Sequence, residues 1–262
     1  MRNIYTKIAA AQKENKTIAL CTIVNTKGST PRKVGAKMLV YENKTIYGTI
    51  GGGELEKCVI ENAIASMNEN KPKLHRHDLL HQHSMCCGGT VDIYIEPICK
   101  KNKLYIFGAG HTGQALAKYA INLNFEIVLI DNRKEYVNEC VLEEVNKMNL
   151  SYPQALGILP FDENTFVCIM THNHAMDREI LAFCLTKPTA YLGMIGSSRK
   201  VEMTKKLFRE ALNVSEERIE EVDMPIGIDI GAETPDEIAM SIVSKLIATK
   251  NKVKQWKKEL QL

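Results

Sequence analysis

The chain has 262 residues, of which 45% are hydrophobic and 25% charged, and its formal net charge at pH 7 is +3. These values are typical of a globular protein with one large domain or two modest ones, and they argue against disorder of the whole chain. The small charge gives no reason to expect nucleic acid as a partner, and no apolar run approaches the length of a membrane span.

The first part of the chain predicts a small α+β domain, which we place at residues 1–99. Residues 28–35 and 51–53 are glycine-rich segments, and residues 68–89 form a polar stretch that contains four histidines. The regular elements lie between these segments. We predict strands at 17–24, 36–41, 45–50 and 90–98, and an amphipathic helix that begins after Gly53.

The second part of the chain alternates strands with helices, and we predict a short linker before it at residues 100–103 (KKNK). This alternation is typical of a parallel sheet covered on both faces. We therefore predict an α/β protein with a Rossmann-like domain at 103–262. Its last helix should begin at Thr234, since a capping threonine, a proline and two acidic residues follow one another there.

The sequence Gly108-Ala-Gly-His-Thr-Gly113 stands between a predicted strand and a predicted helix. In this context Gly108 permits a tight turn, Gly110 lets backbone N–H groups approach a phosphate, and Gly113 lets the helix pack close to the strand. His111 begins the helix, whose N-terminus favours an anion. Asp131 ends the next strand, where a carboxylate typically bonds a ribose hydroxyl and favours NAD over NADP; Arg133 weakens that preference.

Two later strand ends carry polar residues. His172 and His174 follow the apolar strand near 169, where they would face the ligand crevice of a parallel sheet. Capping of the next helix by Asn173 explains that segment equally simply. Gly196 and Arg199 lie in a second strand-to-helix turn that suits an anion, and N-capping by a serine is the alternative.

The predicted N-terminal domain offers another anion-binding segment. Gly52 and Gly53 precede a helix, so their backbone N–H groups could bind a phosphate. Arg32, in the segment GSTPR, could add a bidentate contact. A tight turn with a solvated arginine is the alternative.

The pair Cys86-Cys87, followed by two glycines, is the most chemically suggestive segment. Adjacent loop thiols are poor core residues, and a thiolate can bind a soft metal or carry sulfur. Zinc is a second interpretation, although the spacing of the cysteines and the histidines matches no structural zinc pattern. These histidines are His75, His77, His81 and His83.

The other cysteines raise a question of compartment. Residues 1–16 contain no apolar signal core, so we expect a cytoplasmic protein with reduced thiols. Cys21 and Cys168 lie in predicted strands and Cys58 on a predicted helix, and we expect all three to be buried.

Several motifs, in their order along nearly the whole chain, resemble those of the XdhC/CoxI family. They are GSTPRKVGAKMLV, GTIGGGELE, MCCGGTVDIYIEP, LYIFGAGHTGQALA, VLIDNR, MTHNHAMDREIL, YLGMIGSSRK and PIGIDIGAETPDEIAMSI. Many family members carry one cysteine before the paired glycines, whereas this chain has two. The resemblance implies an N-terminal XdhC/CoxI domain followed by a Rossmann domain.

The resemblance also implies a function. Such proteins bind the molybdenum cofactor, as molybdopterin or its dinucleotide form, and act as chaperones without turnover. They help the cofactor acquire sulfur from a cysteine desulfurase and deliver it to a molybdenum hydroxylase such as xanthine dehydrogenase. Short relatives occur in selenium-dependent systems, so a selenium donor is an alternative partner. The family also implies a homodimer. An NAD-dependent oxidoreductase that uses His172 or His174 as proton donor, or a nucleotide sensor, remains the competing interpretation.

Overall fold

A computed structural model describes residues 3–81, 88–210 and 214–251. The chain divides into two compact units, Met1–Lys100 and Lys101–Leu262, so the boundary falls within the KKNK segment. Across the described ranges, no helix is both long enough and apolar enough to cross a lipid bilayer.

The first unit is an antiparallel sheet with a helix against each face. Across the sheet the strands follow the order β3-β2-β1-β5-β4. Alternate residues of β1, such as Cys21 and Ile23, pack against Val59 of α2, while Ile18 and Leu39 face α1. The elements are α1 (Ile4–Lys13), β1 (Ile18–Lys27), β2 (Lys37–Tyr41), β3 (Ile46–Gly48), α2 (Gly53–Glu69), β4 (Lys73–Asp78) and β5 (Thr90–Ile98).

Three features of this unit differ from the sequence-based predictions. The helix α1 was not predicted. The polar histidine stretch contains strand β4, which pairs with β5 at the edge of the sheet, where polar side chains can face solvent. Cys58 is only half-buried, because it lies on the border of the face of α2 that packs on the sheet, whereas Cys21 is fully buried as predicted.

The second unit is a parallel sheet with helices on both faces, which confirms the predicted Rossmann-like α/β class. The strand order is β10-β9-β6-β7-β8, and all neighbouring strands are parallel. The elements are β6 (Asn102–Phe107), α3 (His111–Ala120), a 3-10 turn (Ile121–Leu123), β7 (Phe125–Ile130), α4 (Lys134–Glu139), β8 (Asn146–Met148), α5 (Tyr152–Ile158), β9 (Thr165–Ile169), α6 (His174–Cys184), β10 (Tyr191–Met194), α7 (Ser198–Glu210), α8 (Glu216–Glu220) and α9 (Pro235–Lys250).

Each face of this sheet has its own apolar core. Leu116 of α3 and Ile242 of α9 pack on one face, and Leu156 of α5 and Leu181 of α6 pack on the other. From β6 the chain first builds the sheet to one side, through β7 and β8, and then to the other side, through β9 and β10. In open α/β sheets such a switch point is where ligands bind, outside the carboxyl ends of the strands.

The start of α9 follows the predicted capping pattern. Thr234 Oγ1 accepts a hydrogen bond from the backbone N–H of Glu237 at 3.3 Å, and the Glu237 carboxylate accepts one from the Thr234 N–H at 2.9 Å. Tyr119 of α3 donates to Asp236 at 2.7 Å, which ties the two helices together on the same face of the sheet.

Candidate functional site

The glycine turn after β6 lies at the switch point and fits tightly against its surroundings. Gly108 has φ +117°, and an added Cβ there would lie 2.3 Å from the Met170 carbonyl oxygen, at the end of β9. A Cβ at Gly113 would lie 1.9 Å from the Gly108 carbonyl oxygen. Both positions therefore need glycine for the reasons predicted: a tight turn and close packing of helix on strand.

Gly110 differs from its two neighbours in the motif. It is the N-cap of α3 in an extended conformation, and no atom lies within 4 Å of a Cβ built there. Its backbone is therefore open to a ligand, and His111 follows it as the first, exposed residue of the helix. This is the geometry in which a helix N-terminus binds a phosphate.

Asp131, at the end of β7, has a different role from the predicted ribose contact. Its carboxylate is completely buried. One oxygen accepts from the Ala109 N–H and from Arg133 Nη2, both at 2.8 Å, and the other accepts from the Arg133 N–H and Nε, both at 3.0 Å. Because both oxygens are already engaged and screened from solvent, we revise the prediction: Asp131 connects the glycine turn to Arg133.

Electrostatics favour this buried pair. Burial alone would raise the pKa of the Asp131 carboxyl, but hydrogen bonds from Arg133 and from the Ala109 N–H outweigh burial and hold the pKa below its ordinary value. The same contact raises the pKa of Arg133. The guanidinium carbon lies 3.8 Å from the centre of the Tyr136 ring. A stacked, partly exposed cation therefore stands at the end of β7, where it would attract an anionic ligand group.

The end of β9 carries a linked set of polar groups. Asp177 is buried, and one of its oxygens accepts from the Thr171 N–H at 2.9 Å and from the Thr171 hydroxyl at 2.7 Å. Its other oxygen lies 3.2 Å from Nδ1 of His174, the first residue of α6. Asn173 caps α6 by accepting from the Ala175 N–H at 2.9 Å. The capping interpretation of Asn173 is therefore correct, while His174 is held at the carboxyl edge of the sheet.

The turn after β10 adds groups at the same edge. Gly196 and Arg199 lie in this turn and in the first turn of α7, where the Val201 N–H donates to the Ser197 carbonyl at 3.0 Å. Lys200, one residue further, makes a hydrogen bond through Nζ to Nε2 of His174. The ends of β9 and β10 are thus connected by a side-chain contact. His172 is exposed at the same edge.

In the first unit, three glycine-containing segments come together: the GSTPR loop, residues 51–53 and the pair Gly88-Gly89. Ser29 and Gly88 form an isolated parallel bridge, and a Cβ at Gly89 would lie 2.3 Å from the Ser29 carbonyl oxygen. A Cβ at Gly51 would lie 2.8 Å from Cγ of Pro31. The GSTPR loop is therefore in contact with both other motifs, and Arg32 lies exposed within it.

The glycine segment before α2 is not the open anion site that the sequence predicts. Glu56 Oε1 accepts from the N–H groups of Ile50 at 3.0 Å and Gly52 at 2.9 Å, and from the Thr49 hydroxyl at 2.5 Å. Burial would raise the pKa of Glu56, but these hydrogen bonds outweigh it and lower the pKa. The Gly52 N–H already donates to the Glu56 carboxylate, so a ligand would have to compete with Glu56. Gly53 begins α2 and is exposed.

The predicted thiol pair, Cys86 and Cys87, lies outside the described residues, as does His83. Among the residues that are described, no group of three histidine, cysteine or acidic side chains is placed to hold a metal ion. His75 and His77 stack on β4 with ring centroids 6.2 Å apart, and His81 follows β4. Burial raises the pKa of Cys21 to about 12 and that of Cys168 further, so both are unreactive core thiols, as predicted.

Family models match both units of the chain. The model described as the XdhC Rossmann domain matches residues 104–246, and the model described as the XdhC and CoxI family matches residues 11–78. This chain belongs to the XdhC/CoxI family. The first match lies on the Rossmann sheet described above, and the second spans the GSTPR loop and the glycine segment before α2.

Two bacterial relatives are similar to this chain over much of its length. The Escherichia coli K12 protein YqeB, which is uncharacterised, is 36% identical over 255 residues, covering 95% of this chain and 46% of that protein. A Bacillus subtilis 168 protein, named as a probable subunit of xanthine dehydrogenase, is 29% identical over 165 residues, covering 63% of this chain and 48% of that protein. The chain thus spans about half the length of these relatives.

A solved structure shares the fold. The crystal structure of a protein described as a xanthine dehydrogenase from Bacillus halodurans superposes with a TM-score of 0.54, at 24% identity, and 97% of each chain is covered. At this identity the likeness concerns the architecture alone. The two-unit architecture is therefore found elsewhere in an experimental structure.

Three residues of this XdhC/CoxI chain were not predicted from the sequence. Glu56 and Asp177 each accept hydrogen bonds from a nearby turn, and Lys200 contacts His174 from another helix. The spacing of His174 and Asp177, three residues apart at a helix start, was a usable local signal. The contact of Lys200 joins residues 26 positions apart, and no local pattern predicts it.

Proposed function

We propose that this chain is an accessory protein of a molybdenum hydroxylase of the xanthine dehydrogenase type, and that its Rossmann unit binds the molybdenum cofactor as cargo. The observation that carries the proposal is the glycine turn of an XdhC Rossmann domain, with Gly110 open at the N-terminus of α3. The name of the B. subtilis relative supports the choice of client enzyme.

The chemistry of the cargo suits this edge of the sheet. The cofactor is a pterin with a phosphate, and in its dinucleotide form with a pyrophosphate. A phosphate would accept hydrogen bonds from backbone N–H groups that follow Ala109, whose own N–H donates to Asp131, and would face the N-terminus of α3. Arg133, fixed by the buried Asp131, adds a cation on the β7 side. With that carboxylate engaged, NAD would lose the ribose contact but would keep a pyrophosphate for the glycine turn, so an excess of NAD serves as the competitor in the test below.

The second part of the proposal concerns the soft end of the cargo. Cys86 or Cys87 would supply a thiolate to molybdenum or to its labile sulfur or selenium, with a cysteine desulfurase or a selenium donor as the source of that atom. The flanking glycines support this role, since Gly88 and Gly89 lie against the GSTPR loop that carries Arg32. The chain would act as a homodimer without turnover of its own.

Retention of molybdenum is the direct test. Purified protein is mixed with isolated molybdenum cofactor under anaerobic, reducing conditions, and molybdenum is measured by mass spectrometry in the gel-filtered protein peak, with and without NAD. Near-stoichiometric molybdenum is the expected result. Loss of the metal on adding NAD would locate the cargo at the glycine turn. No retained molybdenum, together with NAD-linked turnover, would replace this proposal by the oxidoreductase.

The thiols are tested with a matched pair of variants. Cys86→Ala/Cys87→Ala should retain much less molybdenum than wild type, with an unchanged unfolding temperature. The control is Cys58→Ala/Cys99→Ala, which removes two half-buried thiols from the same unit. Equal retention by the two double variants would exclude a role for Cys86 and Cys87.

A further inference from the structure

A chain of side chains leads from the interior of the Rossmann unit to its ligand edge. It begins at Thr171, whose N–H and hydroxyl both donate to Asp177. It continues from Asp177 to Nδ1 of His174 at 3.2 Å, and from Nε2 of His174 to Nζ of Lys200. Asp177 is 1% exposed, whereas His174 and Lys200 reach the surface. This series of hydrogen-bonded side chains is therefore buried at the Thr171 end and exposed to solvent at the Lys200 end.

The contacts define where the hydrogens lie. The Asp177 carboxylate accepts, so Nδ1 of His174 carries a hydrogen and donates to it. Nε2 of the neutral ring then presents a lone pair, which accepts a hydrogen bond from the Lys200 ammonium. Burial raises the pKa of Asp177, and hydrogen bonds from Thr171 and His174 oppose that rise. The buried carboxylate thus sets the tautomer of His174, and the tautomer in turn holds Lys200.

The lysine that is held lies on the β10 side of the glycine turn, with the end of β9 between them. Lys200 belongs to the first turn of α7, which follows β10, and β10 is separated from β6 only by β9. The glycine turn touches the end of β9, since Gly108 packs against Met170 and Thr171. Arg133 stands on the other side of this turn, after β7. Cations therefore lie on both sides of the predicted phosphate position: Arg133 is held directly by the buried Asp131, and Lys200 is held by His174, which contacts the buried Asp177.

We propose that Lys200 is an anion-binding residue of the Rossmann site, and that Asp177 and His174 are positioning residues that hold its ammonium ready for a phosphate of the ligand. The ligand class is a pyrophosphate or a second phosphoryl group that extends from the glycine turn towards β10. The inference rests on the proposed function only in that a phosphorylated ligand occupies this edge. A lysine side chain loses rotamer freedom when it binds, and here the protein has already restricted it.

A simpler role exists for the same contacts, because they could merely connect the start of α6 to the start of α7. The two roles differ in one measurable respect. A positioning role makes the effect of Asp177 on ligand binding depend on the presence of Lys200, whereas a role in fold stability does not. A double-mutant cycle separates them.

The test measures the Kd of inorganic pyrophosphate by calorimetry for wild type, Lys200→Met, Asp177→Asn and the double variant. Lys200→Met should weaken binding about 10- to 100-fold, the range for loss of a hydrogen bond to a charged group. Asp177→Asn should weaken it similarly, because an amide facing Nδ1 favours the opposite tautomer and turns an N–H towards the ammonium. The double variant should bind no more weakly than Lys200→Met.

The control is Lys206→Met, which removes the same charge from an exposed position on the same helix and should leave the Kd unchanged. A second pair covers the case in which Asp177→Asn does not fold. His174→Gln keeps an acceptor near Nε2, and His174→Asn does not, so the glutamine variant should bind pyrophosphate more tightly.

Three results would overturn the inference: wild type binds no pyrophosphate at millimolar concentration, Lys200→Met binds like Lys206→Met, or Asp177→Asn, or its substitute His174→Asn, weakens binding equally with and without Lys200. Failure of the proposed function looks different. A protein that binds pyrophosphate through Lys200 but retains no molybdenum would keep this inference and refute the cargo.

Discussion

Gly113 sets the distance between α3 and β6, so replacing it with alanine is a sharp test of how this site is built. A Cβ at this position would lie 1.9 Å from the Gly108 carbonyl oxygen and 3.5 Å from Cγ2 of Ile106. A carbon atom normally approaches a carbonyl oxygen no closer than about 3.3 Å, so the helix and the turn would have to separate by roughly 1.4 Å. Because the obstacle is backbone, no change of side-chain rotamer relieves it.

The size of the effect follows from two opposing contributions. Overpacking in a well-packed core costs about 1–3 kcal/mol, and we take about 3 because the obstacle is rigid. Alanine has a better helix propensity than glycine, which stabilises the helix by about 1 kcal/mol and partly offsets this cost. Gly113→Ala should therefore lower the free energy of unfolding of the Rossmann unit by about 2 kcal/mol. For a unit of this size the Tm should fall by about 4–8 °C.

The matched control comes from the same motif. Gly110 has φ −69°, which suits any residue, and open space around the position of a Cβ. Alanine is a poorer N-cap than glycine, but it also loses less backbone freedom on folding, and the two effects oppose each other. Gly110→Ala should therefore stay within about 0.5 kcal/mol of wild type, while its methyl group obstructs the approach of a phosphate. Stability is measured by urea and thermal unfolding at pH 7. If Gly113→Ala proves as stable as Gly110→Ala, the argument from close packing is refuted.

Three further predictions concern other parts of the fold. Asp131→Asn should cost about 3 kcal/mol at pH 7, because it breaks a buried ion pair with Arg133. The difference in free energy of unfolding between the variant and wild type, measured by urea unfolding, should shrink as the pH falls below about 4. The reason is that the pKa of Asp131 is lowered in the folded state, so its stabilising contribution is present above the unfolded-state pKa and is lost on protonation. A difference that stays constant with pH would contradict this. Gly89→Ala should lower the unfolding free energy of the first unit by about 2 kcal/mol, because its Cβ would lie 2.3 Å from the Ser29 carbonyl oxygen, and hydrogen exchange at β1 and β5 should report the loss. Thr234→Ala should cost about 1 kcal/mol in urea unfolding by removing the cap of α9, and an unchanged midpoint would speak against the cap.

The sequence was sufficient for the fold where local patterns and global packing agree. The strands of the Rossmann unit are apolar runs between glycine turns, and α9 begins at its predicted cap. The predictions failed where packing decides. Strand β4 has a polar sequence because it is an edge strand with one neighbour, and α1 is a short helix that covers the outer face of the first sheet.

In the candidate site, the sequence predicted where the functional groups lie but not whether they are free to bind a ligand. In the second unit, the spacing after the glycine motif correctly placed a carboxylate at the end of β7. In the first unit, the sequence correctly placed glycines before α2. It could not reveal that Asp131 and Glu56 already accept hydrogen bonds from neighbouring turns. A sequence motif gives the place of a group in the chain, whereas its availability to a ligand depends on burial and on partners.

This distinction changes what the Rossmann site is expected to recognise. If Asp131 faced the ligand, it would repel a phosphate and select a ribose diol. Enclosed, it instead fixes the cation of Arg133, just as the buried Asp177 fixes Lys200 through His174. The two carboxylates, Asp131 after β7 and Asp177 in the first turn of α6, are thus buried, while Arg133 is partly exposed and Lys200 is exposed. A sheet edge with these two cations is suited to a ligand with more than one phosphoryl group, and a dinucleotide form of the proposed cargo meets that condition better than a single phosphate does.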